Sequence, residues 1–518
     1  MFAKSEMLLK MPRRMHGLYR AVYATLFFMV LAIGRTDAQG ITNLWMGGYD
    51  SQYPIPGGGT DLHFTDSSVT LNYVNRPISF YRTNSNITDT AGHLLFSTNG
   101  SIIANAANDT MLNGAGLSPS EYTTSYSDGL LVSQGVLILP APNSNNLYYL
   151  VHGTWDDDLV IYSMRSLYYT LIDMNLDGGL GAVLDKNQVA LSDTMNIGRI
   201  SAVKHANGRD WWVFVHKAYS NRFYRLLLNP DGLSLDGFQD IGIVRPADDG
   251  QVCFSPDGSK FAYFGVVYQV SKILEVFDFD RCTGLFSDPI ATEINDYAYL
   301  GGVAFSPSGQ FLYVSSLADV YQYDIAAPDL STSMVHIAHW DSTYSPFPPY
   351  ATVFDIAQLA PNGKIYIGTG NTTLRMHVIN NPDEPGLACN LVQHGITTPT
   401  YYSNSLPNHP NYFLGALAGS PCDTLSVGIS PLSLGEGPGV RAYPNPTTGT
   451  FNLSYAAQPT VGELELRDVS GRVVLRDRLP QWSTGHAVSL AGQAAGLYNC
   501  SLRWGSRSGN TRIMLATP

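Results

Sequence analysis

Phe254-Ser-Pro-Asp-Gly258 runs straight into an apolar stretch, Lys260-Phe-Ala-Tyr-Phe264. Two echoes repeat the pattern: Phe305-Ser-Pro-Ser-Gly309 before Gln310-Phe-Leu-Tyr-Val314, and Leu359-Ala-Pro-Asn-Gly363 before Lys364-Ile-Tyr-Ile367. Each copy reads as a β-hairpin. A strand ends, Pro fixes φ, Asp, Ser or Asn with Gly makes the turn, and a β-rich strand returns. The three glycines are 51 and 54 residues apart. A fixed period of that size holds about four short strands and fits a propeller blade.

Weaker copies extend the series toward the N-terminus. Asp89-Thr-Ala-Gly92 precedes His93 to Ser97, Pro142 to Asn146 precedes Leu147 to Val151, and His205-Ala-Asn-Gly208 precedes Trp211 to Val215. Six hairpins therefore follow one another. Strand-like leftovers at 41–75 and 405–418 allow a seventh blade, in which the two ends close the ring by sharing one blade. Closure removes exposed sheet edges. The expected fold is all-β: a propeller of seven blades, or six, then a small Ig-like β-sandwich. A row of sandwiches is the alternative, but sandwiches seldom keep so long a period.

The domain order follows from composition. Basic residues from Lys4 to Arg20, a 13-residue apolar run Ala21–Ile33, and Thr36-Asp37-Ala38 read as a signal peptide over residues 1–38. The run is too short for a comfortable membrane span. Residues 39–419 form the propeller, and the Gly/Ser/Pro-rich stretch 420–440 is a linker. Residues 441–518 are a compact set of alternating strands.

Charge narrows the partners. Without its first 38 residues the chain keeps 24 basic and 40 acidic side chains, a formal charge of −16. That argues against nucleic acid, which needs a basic footprint. No later stretch is long and apolar enough to be a transmembrane segment, so none is expected in the mature chain.

Export permits disulfides. Of five cysteines, Cys500 sits on the apolar face of an alternating strand and reads as a buried thiol. Cys253, Cys282, Cys389 and Cys422 are the disulfide candidates. Closeness in sequence favours Cys253–Cys282 and Cys389–Cys422.

The tail carries the most specific motifs. Tyr443-Pro444-Asn445-Pro446, with Gly449 after it, is followed by Asp468-Val-Ser-Gly471-Arg472, then Gly496-Leu-Tyr498, then a last apolar strand. It resembles the C-terminal sorting domain of type IX secretion substrates of Bacteroidetes-type bacteria. The resemblance implies passage through the periplasm, contact with the type IX machinery, removal of the tail, and release or attachment at the outer cell surface. Residues 41–418, through the F-S-P-D-G element, Phe279-Asp-Arg-Cys-Thr-Gly284 and Leu406-Pro-Asn408, resemble the WD40-like propellers often joined to such tails.

Function is less legible. Asp156-Asp157-Asp158 offers hard oxygen ligands for calcium, but the EF-hand spacing is absent, and a solvated acidic loop is the simpler reading. Otherwise no cofactor is expected. His152, His205 and His216 share no fixed spacing with a carboxylate, and His339-Trp340-Asp341 is no stronger a signal, so no catalytic residue is assigned. Elbow, zincin and phosphate-loop motifs do not occur. Abundant tyrosines, Tyr148, Tyr149, Tyr168 and Tyr169 among them, suit inter-blade packing or a face for a glycan or protein ligand. A binding or scaffold module is the leading expectation. A lactonase-like hydrolase or sugar lyase at the channel mouth is the alternative.

Overall fold

The computed structural model describes residues 40–516, apart from 53–55, 126–128, 143, 158–161, 268–270, 297–300, 346–348, 418, 424–439, 444–446, 456–459, 482, 484 and 506. The expected signal peptide and most of the expected linker lie outside the described residues. Two compact units divide the chain, Met1–Ser426 and Val427–Pro518.

Among the described residues of the first unit antiparallel sheets follow one another, and the nine-stranded second one divides into two groups of four main strands, so that seven strand groups, each treated as a sheet below, succeed one another. The first has three strands, Leu44–Gly48, Gly59–Phe64 and Val69–Val74. The other six have four main strands each, and each begins with a short, largely buried strand: Ser85–Thr88, Val136–Pro140, Ser201–Lys204, Asp249–Phe254, Gly302–Phe305 and Phe354–Leu359. The second and third sheets touch at their outer strands through one parallel pair, Leu112 with Ala182.

Buried clusters run from sheet to sheet around a ring. One cluster spans the second to fourth sheets. Trp212, Phe214 and Phe223 of the fourth pack on Phe261, Phe277 and Phe286 of the fifth. Further clusters join fifth to sixth, sixth to seventh, seventh to first and first to second. Each sheet thus buries both faces against its neighbours, which is propeller packing. Burying one such aromatic side chain is worth roughly 2–3 kcal/mol.

Ring closure differs in one respect from the expectation. The segment after Tyr402 returns along the inner strands but adds no strand to the first sheet. Pro407 and Pro410 explain this, because neither offers an N–H to a ladder. Side chains make the ties instead. Asn408 Nδ2 donates to the carbonyls of Val136 (2.8 Å) and Ile200 (2.9 Å), and Tyr412 OH donates to Ile138 O (2.8 Å). On the other side of the closure, the Thr60 and Thr400 hydroxyls meet at 2.6 Å.

The disulfide pairing is also corrected. Cys282 bonds Cys422, with Cα atoms 5.4 Å apart, while Cys253 and Cys389 are free. Cys253 lies in the strand Asp249–Phe254 and Cys282 in the turn after Ser271–Asp280, at least two strand spacings away, about 10 Å. That exceeds the roughly 7 Å a disulfide spans. The bond fastens the returning segment, together with Arg281, whose guanidinium donates to Gly415 O (2.7 Å) and Lys204 O (2.8 Å).

Gly258, Gly309 and Gly363 all have positive φ, at 74°, 76° and 74°. Their surroundings differ. A Cβ on Gly258 would meet Val203, Arg281 and Leu414 at 2.9–3.0 Å, whereas those on Gly309 and Gly363 would meet nothing closer than 3.9 Å. Alanine at 309 or 363 is expected to cost about 1 kcal/mol, the left-handed penalty alone. Alanine at 258 adds overpacking, for about 2–3 kcal/mol in all. Urea unfolding of the three variants checks the order; equal losses would refute it.

The second unit is a small sandwich. A three-stranded sheet, Arg441–Tyr443, Thr450–Ser454 and Gly485–Ser489, faces a four-stranded one, Val473–Leu479, Gly462–Asp468, Gly496–Trp504 and Arg507–Leu515. Phe451, Leu464, Leu466, Tyr498, Leu502, Trp504 and Ile513 fill its core beside Cys500, a buried free thiol as expected.

Candidate functional site

The first strands of the propeller sheets run in one direction, so their N-terminal ends share one end of the channel. Several buried or half-buried charges lie there. Arg82 lies just before Ser85–Thr88, Arg199 just before Ser201–Lys204, and Asp248 just before the strand that Asp249 begins. Asp355 is the second residue of Phe354–Leu359. The Pro-Asp-Gly type turns occupy the opposite end. There Pro256, Pro307, Pro361 and the returning Asn411, Phe413 and Leu414 line a cavity of about 990 Å³.

Between the two ends the channel is narrow. Gln134 accepts from Val252 N and donates to Val252 O, both at 2.9 Å, which joins the third sheet to the fifth. Gln251 accepts from Val303 N (3.0 Å) and Ala357 N (2.9 Å) and donates to Ala357 O (2.7 Å), joining fifth, sixth and seventh. These amides supply partners that the inner strands cannot give one another.

Two layers of charge sit at the mouth. The lower layer is a sealed network. Arg199 and Asp248 pair at 2.9 Å with both side chains 2% exposed or less, and Arg245 pairs with Glu275 at 2.6 Å. Asp248 also accepts from Asn196 (2.9 Å) and Tyr263 (3.2 Å), and Arg245 lies 4.0 Å over the Tyr263 ring. Burial works against the Arg199 charge, but Asp248 and its neighbours more than offset it, so the guanidinium stays cationic.

The upper layer meets solvent. Arg82 Nη2 pairs with Asp249 Oδ2 at 3.1 Å, with the Asp249 side chain 34% exposed. Burial alone would raise the Asp249 pKa, yet Arg82 and Arg199 outweigh it and hold the carboxyl below its usual range. Asp355 behaves oppositely. It is buried, and desolvation pushes its carboxyl up to about 7. Arg82 and Asn404 oppose that rise, and Asp249 adds to it. Among the described residues Arg82 Nε completes no hydrogen bond, and Asn404 is the polar side chain set against the Asp355 carboxyl. Near neutral pH the mouth therefore holds an ionised carboxylate, a carboxyl close to half-protonation and a guanidinium with a donor to spare. Two carboxyls pushed apart in this way can accept, donate or transfer protons at one spot.

The residues singled out from the sequence lie elsewhere. Asp156 accepts from Thr154 Oγ1 (2.5 Å) and Arg165 N (2.9 Å), which closes a turn on the third sheet. The Asp157 side chain and all of Asp158 lie outside the described residues. His152 is buried between Ser118 (2.8 Å) and Thr170 (2.9 Å), and burial lowers its pKa to about 3. His216 is held near neutral Asn196, and burial with Arg245 and Arg199 keeps it uncharged. His205 packs on Trp212. The three do not converge. Tyr148 is buried and Tyr149 stacks on Tyr169, as packing within the ring requires.

In the tail the motif residues build turns and core. Asp468 Oδ1 accepts from Ser470 N and Arg472 N, both at 3.0 Å, around Gly471 with φ 83°. Gly449 and Gly496 also have positive φ. The Tyr498 ring is buried and its hydroxyl donates to Ala494 O (2.5 Å). The Tyr443 side chain and Pro444 to Pro446 lie outside the described residues.

The chain is thus a β-propeller followed by a small sandwich. Residues 441–516 match the family described as the secretion system C-terminal sorting domain, so the tail is a sorting domain for export. No curated protein sequence matches the chain. Among solved structures, a protein from Lactobacillus plantarum is 14% identical, with TM-score 0.42, over 71% of this chain and 99% of its own. A putative 6-phosphogluconolactonase from Bacteroides fragilis is 10% identical, with TM-score 0.40, over 71% of this chain and 97% of its own. These likenesses are distant, and the propeller assignment rests on strand order and the ring of clusters. No helix among the described residues is long and apolar enough to cross a membrane.

Proposed function

We propose that this is a type IX secretion cargo whose propeller binds a hydroxyl-rich ligand, such as a glycan, at the channel mouth once outside the cell. The observation that carries the reading is the pairing of Arg82 with the part-exposed Asp249 beside the buried carboxyl of Asp355. Sugar hydroxyls both donate and accept, and this trio offers both partners in one place. The sorting domain supports delivery through the periplasm to the outer surface or the medium.

The same pair of carboxyls favours a second reading, an enzyme acting on sugars. Asp249, ionised, and Asp355, near half-protonation, have the split that general base and general acid require. A panel of neutral and acidic oligosaccharides separates the cases. Retention on the panel, weakened at least tenfold by Arg82→Ala with the saccharide recovered intact, supports binding. Conversion of a saccharide, lost in Asp249→Asn, supports the enzyme. Binding unchanged in both variants would remove the mouth as the site.

A further inference from the structure

On the sixth sheet, Asp319 begins the strand Asp319–Asp324, and His336 and His339 lie on its partner Val335–His339. Residues three apart in a regular strand point to opposite faces. Here the register slips between Val320 and Tyr321, so Asp319 pairs with His339 while Tyr321 pairs with His336. The slip turns both imidazoles onto one carboxylate oxygen. His336 Nε2 is 2.7 Å and His339 Nδ1 2.9 Å from Asp319 Oδ1.

We propose that Asp319, His336 and His339 form a binding site for a late first-row divalent cation, with Zn²⁺ the reference ion. The donor set is two imidazole nitrogens and one carboxylate oxygen, which suits zinc, copper and nickel over calcium or magnesium. The ligand atoms lie within 4.8 Å of one another. Around an ion bound at about 2.0–2.2 Å, neighbouring ligand atoms at 90–110° stand roughly 2.9–3.4 Å apart. The His336–Asp319 spacing of 2.7 Å falls short of that by a few tenths of an ångström, and the His339–Asp319 spacing of 2.9 Å stands at its lower edge. His336 and His339 are 51% and 66% exposed, so their side chains can open by that amount and leave further positions to water.

The backbone around the trio is fixed. Trp340 N donates to Ala318 O (2.7 Å), and Gln393 clamps the strand end through His339 O (2.8 Å) and Asp341 N (3.2 Å). Leu317 O, in the turn before Asp319, accepts from Phe354 N (2.7 Å), the residue before Asp355, so the site lies on the mouth face of the propeller.

The test uses the full chain, freed of metal by chelation and titrated with Co²⁺ and Zn²⁺. Wild type is expected to bind one equivalent that develops a Co²⁺ d–d band and is displaced by Zn²⁺. His336→Ala, His339→Ala and Asp319→Asn should each weaken that equivalent at least tenfold and abolish the zinc-dependent rise in Tm. His394→Ala, in the separate His394–Asp341 pair, should bind as wild type. His336→Ala and His339→Ala should melt as wild type without metal, since both side chains are more than half exposed, and each variant's own metal-free Tm is the baseline for its zinc-dependent shift. No bound equivalent, or equal affinity in wild type and the three site variants, would overturn the site.

Discussion

Replacing Asp248 by alanine is expected to destabilise the propeller by about 3–5 kcal/mol, the range for stripping one partner from a buried ion pair. The carboxylate is 1% exposed and meets Arg199, Asn196 and Tyr263 together. Its removal leaves a guanidinium 2% exposed and two neutral donors with water excluded. The conclusion concerns the loss of one partner, not the worth of the pair. A double variant, Arg199→Met with Asp248→Leu, should therefore be closer to wild type than Asp248→Ala, and the difference measures the stranded charge. Urea unfolding of the four species gives the cycle. A loss under 1 kcal/mol for Asp248→Ala would mean that water reaches this layer.

Asp355 should behave in the reverse sense. Its carboxyl titrates near 7 when folded, against about 3.9 in an unfolded chain. Between those values the folded protein keeps a proton that the unfolded chain has lost. Stability from this group is therefore greatest at low pH, falls as pH rises from about 4 to about 7, and stays low above. Three units correspond to roughly 4 kcal/mol. Asparagine carries no such penalty. Asp355→Asn is expected to gain more than 1 kcal/mol at pH 8 relative to wild type and nothing at pH 4. Chemical unfolding at the two pH values reads this directly. A less stable variant at pH 8 would show that the ionised carboxylate is a structural partner of Arg82. A residue that weakens the fold at working pH is the kind kept for a task, the trade seen at functional sites.

The architecture was legible because its signals are local. Pro-Asp-Gly followed by a β-branched and aromatic run dictates a turn whatever lies around it, and the three glycines indeed carry positive φ. The tail was legible for the same reason: Asp468 caps the turn that Gly471 completes. The mouth was not legible. Arg82, Arg199, Asp248, Asp249 and Asp355 come from four sheets and are brought together only by ring closure. One trace does stand in the sequence. In a chain with only 14% charged residues, Asp248-Asp249 and Asp355 stand at the starts of largely buried strands, where a charge needs a reason. The cysteines show the opposite error. Nearness along the chain placed Cys282 with Cys253, whereas two intervening strand spacings separate them and the returning segment brings Cys422. His336 and His339 were hidden by a register slip that no periodicity reveals.

The central claim, a propeller sent out of the cell by its own detachable tail, is tested most directly by locating two proteins in a type IX-competent host. One is the chain lacking residues 441–518; the other is an unrelated periplasmic reporter fused to 420–518. The propeller buries its core within its own unit, and the sandwich core is separate, so the shortened chain should fold without the tail. The account predicts a folded, protease-resistant propeller retained in the periplasm and a reporter found at the surface or in the medium. A shortened chain that still reaches the outside, or a fusion that stays in the periplasm, would contradict it.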